Sequence, residues 1–431
     1  MGIVGSGYQR PGRAMLPVFG GGVTPPPVSN IWRVAATRGE VPNLIGPAVT
    51  TQTQLRKIFR SAHYLGPVPY RALRLVYGNY AGNASGEALP GNTTDLEAAL
   101  EIGSTNVRAT FGGVNVVTMT DGQALATSDD ILPAAFGLSQ FDAGALVYQR
   151  HSRTVASGGK FVRAENVASG WAGDGAAQCD PTVANQVDGT GALSTTGNFT
   201  AYTECVKPLA IIGLPVGSAT WVSVGGVGDS ILYRLNDTIA AGGWFQRALN
   251  SGTRVPYIRM AIPSERAQGF VAGTRRQQLF QFLTHVFCNY GTNDLGAARQ
   301  QSVVIADLRA IWQSAKTAGV QRVEQAPILP RTTGAWTLTD GSDQSYAAGF
   351  EPSSPNFKSG LNAAIAANVG ANGLDATLNF IPDVQLSTDP DKWDANGTAA
   401  FATSDGLHPA SVKHALMATR FRARVDTWSA I

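Results

Sequence analysis

The chain changes rhythm near residue 205, and that change limits what it can fold into. Before it, short runs of alternating apolar and polar residues (72–77, 98–102, 114–119 and 146–150) are separated by turns rich in Gly, Asn and Asp. That is the pattern of half-buried antiparallel strands. After it, β-type runs at 219–227, 255–262, 279–289 and 321–328 alternate with helical periodicity over 231–250, 300–318 and 357–369. Such alternation predicts a parallel sheet covered by helices. The expected organisation is therefore a β-sandwich-like N-terminal domain over 1–205 and an α/β domain over 206–431. The opening forty or so residues, with GGGVTPPPV at 20–28, have no periodicity and read as extended chain lying on the surface or wrapping the domain. Residues 170–203 read as loop.

Charge narrows the function classes. Lys plus Arg number 33 against 30 Asp plus Glu, the net charge is +3, and the charges are scattered. A nucleic-acid partner is not expected, because it would need a basic stripe. No apolar run reaches the roughly 18 to 20 residues of a membrane-spanning helix. The start, MGIVGSGYQRPGRAML, lacks the apolar core and small-residue cleavage site of an export signal. Either export by that route is not expected or a leader has been removed. Of the three cysteines, Cys179 and Cys205 bracket a polar stretch and are expected to close a loop as a disulfide, which would imply an oxidising, extracellular location. The alternative is two unrelated thiols. Cys288 lies in an apolar run and reads as a buried hydrophobe. No Cys/His spacing suggests a metal, and no cofactor is expected.

Parallel α/β sheets bind ligands at the carboxyl ends of their strands, here the loops after Val227, Ile262, Asn289 and Ile328. The first loop reads Gly228-Asp229-Ser230 and runs into a helix, so a serine hydroxyl would stand beside helix-terminal amides. The third reads Gly291-Thr292-Asn293-Asp294, where an Asn amide could donate to a developing oxyanion. Near the C-terminus comes Asp405-Gly406-Leu407-His408-Pro409, with an Asp three residues before a His that it could orient as a base. Each tripeptide or loop taken alone has an ordinary reading as a turn or a helix cap.

Their order along one α/β pattern is what distinguishes them. Gly-Asp-Ser, then Gly-Thr-Asn-Asp, then Asp-Gly-Leu-His-Pro resembles the SGNH (GDSL-type) hydrolase family over about 219–431. The resemblance implies a flavodoxin-like sheet and a serine esterase with Ser230 as nucleophile, His408 as base and Asp405 as its partner. It also implies oxyanion donors from the Ser230 amide, from a Gly after the second strand and from the Asn293 side chain. That Gly is replaced by Ser264, whose amide can serve if its backbone permits the turn; Gly269 is the other candidate, deeper in the next helix.

Other residues read more blandly. His285 and His414 are expected as packed core or capping residues, and His63 and His151 have no visible partner. Asp229 and Asp294 are expected to organise their loops; Arg234 and Glu265 could border the cleft. The insertion over 331–357 should overhang the site, and Trp336 and Tyr346, with Trp393, are candidate substrate walls or loop anchors. The expected function is hydrolysis of short-chain esters, with acetyl esters on a carbohydrate favoured. The alternative is a glycan-binding or virion-surface protein that uses a hydrolase-like scaffold. Oligomeric state and the role of the N-terminal half stay open.

Overall fold

The computed structural model describes residues 30–164, 170–352 and 358–428. Its α/β half is built on a six-stranded parallel sheet. The strand order is Gly39–Glu40, Tyr257–Arg259, Val224–Val227, His285–Cys288, Arg322–Gln325 and Ala376–Thr377. Without the first strand this is the 2-1-3-4-5 order of a flavodoxin-like doubly wound sheet, with its switch point beside Val224–Val227.

Val224–Val227, Tyr257–Arg259 and His285–Cys288 are buried on both faces, so they show no apolar–polar alternation. Gly225 and Gly226 in the first wound strand look like weak strand residues, yet they are needed. A Cβ on Gly226 would lie 2.7 Å from the Phe245 ring, and one on Gly225 would lie 2.4 Å from Leu283. One face is covered by helix Gln301–Thr317, whose Val304, Leu308, Ile311 and Trp312 meet Ile258, Val286 and Val323. The other carries helices Gly243–Asn250 and Ser411–Val425. There Trp244 is surrounded by Phe245, Phe287, Phe380 and Phe421 at 4.8–5.8 Å between centroids.

Among the described residues the N-terminal half holds two short strand pairs, Leu44–Ile45 with Val162–Arg163 and the hairpin Ala81–Asn83/Gly86–Ala88, beside two larger antiparallel sheets. One runs Arg33–Val34, Ala210–Pro215, Tyr70–Tyr77, Ala126–Thr127; the larger is centred on Thr94–Ile102, Leu146–Thr154 and Arg56–Tyr64. One apolar cluster draws Leu73, Leu75 and Ile211 from the first sheet and Leu96, Leu100 and Val147 from the second.

The sheets do not respect a division at 205/206. Ala210–Pro215 is paired with Tyr70–Tyr77 on the N-terminal side, while Gly39–Glu40 forms the edge of the parallel sheet. Val34, Val76, Leu209 and Ile212 belong to the same buried cluster as Ile258 and Ile262. Of the opening segment, residues 1–29 lie outside the described residues, and Val34, Ala35 and Ala36 beyond them are buried, not laid on the surface.

The helix expected over 231–250 is broken into Ser230–Tyr233 and Gly243–Asn250, because Arg234 turns left-handed at φ 115°. The start of the run 279–289 belongs to a 3-10 helix, Arg276–Phe282, and the strand is confined to His285–Cys288. Residues 170–203 are mostly loop but contribute strand Gly175–Cys179. Among the described residues no helix is long and apolar enough to cross a membrane.

The expected disulfide is not formed. Cys179 and Cys205 are both buried free thiols. Cys179 packs with Ile58 and Ala99, whereas Cys205 sits in a separate cluster with Phe59 and donates its S–H to the Arg60 carbonyl at 3.3 Å. The argument for an oxidising compartment falls with it. Thiol titration of the unfolded, unreduced chain should give three equivalents; one equivalent would restore the bridge.

Candidate active site

The switch-point loop is shaped by a missing side chain. A Cβ on Gly228 would lie 1.7 Å from Asn289 Oδ1, so only glycine lets the two loops close up. Asn289 Oδ1 accepts from the Asp229 amide at 3.2 Å. Asp229 in turn caps the helix Ser230–Tyr233 by accepting from the Ile231 amide at 3.0 Å. Ser230 is thereby held at the first helical position, buried except for its access to His408.

His408 arrives from the far end of the chain. Its Nε2 lies 2.8 Å from Ser230 Oγ, and its Nδ1 lies 2.6 Å from Asp405 Oδ2. With the ring proton on Nδ1, that nitrogen donates to Asp405 and Nε2 accepts from the Ser230 hydroxyl. Asp405 Oδ1 accepts from the amides of Leu407 and His408 at 2.9 and 2.8 Å. Partial burial pushes the Asp405 carboxyl up, but the hydrogen bonds from the His408 ring and these amides outweigh it and hold the group well below the usual carboxylate range.

Gly406 pins this loop. It is left-handed at φ 72°, and a Cβ there would lie 1.8 Å from the Thr332 carbonyl oxygen and 2.7 Å from the Trp336 ring. Its own carbonyl accepts from Thr332 N at 3.0 Å and Trp393 Nε1 at 2.8 Å.

Those contacts decide between the two readings of Trp393. It is 0% exposed and falls on the side of the loop anchor. Its indole anchors the Asp405–His408 loop from below. Trp336 is half-buried against the same loop and donates from Nε1 to Thr332 Oγ1 at 2.9 Å. Tyr346, on the hairpin Thr332–Gly334/Gln344–Tyr346, donates its hydroxyl to Asp389 Oδ2 at 2.5 Å.

The Ser264 position is left-handed, with φ 64°. It has the backbone that glycine ordinarily supplies. Its amide and that of Ser230 donate to no acceptor among the described residues. Gly269 drops out, because its amide already donates to Arg266 O at 3.0 Å and its α-carbon faces Ser85 and Gly86. Asn293 Nδ2 donates to the Glu265 carbonyl at 3.0 Å, which orients the amide and leaves its second N–H unused.

Glu265 proves to be an organiser of this region and not a cleft border. Fully buried, its carboxylate takes a double hydrogen bond from Arg276 (2.7 and 2.5 Å) and one from the Tyr290 hydroxyl. The N-terminal half joins in through Glu87, which accepts from the Arg276 amide at 2.8 Å and from Arg275 Nη1 at 3.1 Å. Sequence spacing gave no hint of this link, since Glu87 and Arg276 are 189 residues apart. Asp294 bonds the Ala267 amide at 3.1 Å and Arg299 at 2.5 Å, so it ties loops together.

The remaining histidines are packed. His285 bonds Thr284 and stacks on Trp428 at 4.4 Å, and His414 bridges the Trp244 amide and the Leu235 carbonyl. His63 bonds Ser61 and the Thr37 carbonyl, and His151 bonds Gln149. Among the described residues no cluster of three or more His, Cys, Asp or Glu is placed to hold a metal ion.

No protein-family model and no curated protein matches the chain. Solved structures do. A putative lipolytic protein of the G-D-S-L family from Desulfitobacterium hafniense DCB-2 is similar at 14% identity and TM-score 0.36, over 47% of this chain and 99% of that one. The psychrotrophic esterase EstA from Pseudoalteromonas sp. is similar at 16% identity and TM-score 0.35, over 48% and 97%. A salicylyl-acyltransferase from a tetracycline biosynthetic pathway spans more, 87% of this chain and 84% of that one, at 11% identity and TM-score 0.33.

Two predictions follow from the supports of the site. Asp229 is 1% exposed, and its Oδ2 has no hydrogen-bond partner among the described residues. Burial pushes its carboxyl up to about 7, against hydrogen bonds from Ile231 and Asn289 that pull it down. The unfolded chain releases this proton near pH 4, so the wild type loses stability at this residue as pH rises from about 4 to about 7. Asp229→Asn should therefore gain on the wild type across that window in urea melts; a constant difference would remove the carboxyl as its source. Glu87→Ala leaves Arg276 with one partner fewer in a buried setting and should cost about 3 kcal/mol, read by the same melts, with the loss halved or better in Glu87→Gln.

Proposed function

We propose that the chain is a serine ester hydrolase working through an acyl-enzyme. The observation that carries this is the hydrogen-bonded line Asp405–His408–Ser230, at 2.6 and 2.8 Å. Its residues come from two loops 178 positions apart in sequence, and the line adds nothing to the apolar core.

In the proposed reaction His408 Nε2 takes the hydroxyl proton as Ser230 Oγ attacks the ester carbonyl carbon. Asp405, ionised throughout the neutral range, stabilises the imidazolium that forms. The Ser230 and Ser264 amides and the free N–H of Asn293 supply the donors for the negative oxygen. When the tetrahedral species collapses, the C–O bond to the leaving alcohol breaks and His408 returns the proton to that alcohol. Water then attacks the acyl-Ser230 ester with His408 again as base, releasing the acid and the free serine.

A short acyl group is the favoured substrate part. Behind Ser230 the space walled by Ile231, Trp244, Asn289, Thr292, Phe380 and Met417 amounts to only about 10 Å³, at or below what one water needs. That space has no room for a long acyl chain. Acetyl esters on a carbohydrate remain the proposed natural substrates. A scaffold that only binds glycans has no use for the serine–histidine–aspartate line, which argues for the enzyme over that alternative.

On p-nitrophenyl esters, turnover should be greatest for acetate and fall with chain length. Ser230→Ala should lower kcat by about 10⁴-fold or more, and equal turnover in that variant would overturn the nucleophile assignment. Asn293→Ala should lower kcat by about a hundredfold with little change in KM; a change confined to KM would remove it from the oxyanion donors.

A further inference from the structure

A second cavity lies wholly within the N-terminal half. It encloses about 250 Å³ and is lined by Gly46, Pro47, Val49, Gln54, Lys57, Phe161, Arg163, Gln178 and Tyr202. None of these residues belongs to the Ser230 site or its supports.

The cavity is built around a cation. Lys57, on strand Arg56–Tyr64, is 6% exposed. Its ammonium lies 3.8 Å from the centroid of the Tyr202 ring and 4.7 Å from that of Phe161. It makes no hydrogen bond and no ion pair within 4 Å among the described residues. The nearby carboxylate, Glu204, is already engaged: it accepts from Arg163 Nε at 2.8 Å, from a second Arg163 nitrogen, and from the Tyr202 hydroxyl at 2.9 Å. Three ammonium donors are thus held in a concave wall against two aromatic faces, with no hydrogen-bond acceptor among the described residues. Aromatic faces attract a cation but accept no full hydrogen bond, and a buried charge without an opposite partner is costly. Burial accordingly pushes Lys57 down to about 8, against the pull of Glu204.

The rest of the lining completes a polar set. Gln178 is the strand neighbour of Lys57 in register. The side-chain amides of Gln178 and Gln54 make no hydrogen bonds among the described residues, so each offers a donor and an acceptor. Pro47, Val49 and Phe161 supply the apolar floor. Lys57 and Arg163 against Glu204 leave one positive charge.

We infer that this cavity binds a small hydroxylated ligand through an anionic group, a carboxylate or a phosphate, seated on the Lys57 ammonium. The two amides suit hydroxyls, which both donate and accept, and the apolar floor suits the C–H face of a ring. The volume admits one sugar-sized unit. The site is independent of the proposed ester chemistry and needs no bond to form or break.

The test is calorimetric titration of the full chain with D-glucuronate, D-glucose 6-phosphate and D-glucose. At least one charged sugar should bind, and which one does identifies the anion as carboxylate or phosphate. D-Glucose should bind at least tenfold more weakly. Lys57→Met, which keeps length and loses charge, should weaken the charged ligand at least tenfold while leaving p-nitrophenyl ester turnover at its wild-type level. Binding of neither charged sugar, equal binding of glucose, or undiminished binding to Lys57→Met would each overturn the inference. Should circular dichroism show Lys57→Met unfolded, Gln178→Leu and Gln54→Leu decide: several-fold weaker binding in either supports the site, and wild-type affinity in both overturns it.

Discussion

The buried carboxylate of Glu40 is the point on which the two halves of the molecule depend. It sits on the edge strand that the N-terminal half contributes to the parallel sheet, and it is ion-paired with both Lys207 and Arg259. Burial alone would drive it towards the neutral form. The two cations reverse that and hold its pKa far below the usual carboxylate range. Arg259 also donates from Nη1 to the carbonyl of Tyr233 at 2.7 Å, the last residue of the short helix that begins at Ser230. Removing Glu40 would leave two buried cations without their shared carboxylate, the costly way to break such a cluster. The charge arrangement therefore fixes the placement of the N-terminal edge strand and of the serine-bearing helix together.

A second charged chain does the same on the other side of the cleft. Glu87 reaches from the N-terminal hairpin to Arg275 and Arg276, Arg276 holds Glu265, and the carbonyl of Glu265 orients the Asn293 amide. The N-terminal half is thus part of the frame of the candidate active site, and its sheet shares buried apolar residues with the parallel sheet. The loops that carry Ser230, Asn293 and His408 are then closed by glycines. Gly228 must leave room for Asn289, and Gly406 must leave room for Thr332 and Trp336. Rigid strands supply the platform and side-chain-free turns bring the loops within hydrogen-bond distance.

Much of this was legible in the residues. Buried parallel strands announce themselves as short apolar runs between helical periods, and four of the five strands of the wound sheet fall within runs seen that way; the short edge strand Ala376–Thr377 lies outside them. The Gly-Asp-Ser, Gly-Thr-Asn-Asp and Asp-Gly-Leu-His-Pro segments stand at the loops where such a sheet gathers ligands. Strand Arg56–Tyr64 escaped, because RKIFRSAHY is half polar; its Arg60 is buried only by virtue of Glu101, a partner that itself lies on another strand. Trp393 stayed undecided between wall and anchor for a related reason. An aromatic residue near a catalytic motif has the same appearance in sequence whether it faces solvent or lies beneath the loop.

What the sequence determined by itself is what local chemistry controls: the periodicity of the strands and helices, the turn glycines, the capping Asp229, and the Asp405-to-His408 spacing that lets one loop close on itself. Tertiary structure decided everything that needs two distant segments to meet. It kept Cys179 and Cys205 apart in separate clusters, gave Ser264 a left-handed backbone, and placed Gly39–Glu40 in the second half's sheet while Ala210–Pro215 stayed in the first. It also set Lys57 between two rings, with no ion pair of its own among the described residues. Burial and pairing are properties of a place in the fold. A carboxylate or an ammonium carries no mark in sequence of whether its partner will be protein, water or a ligand.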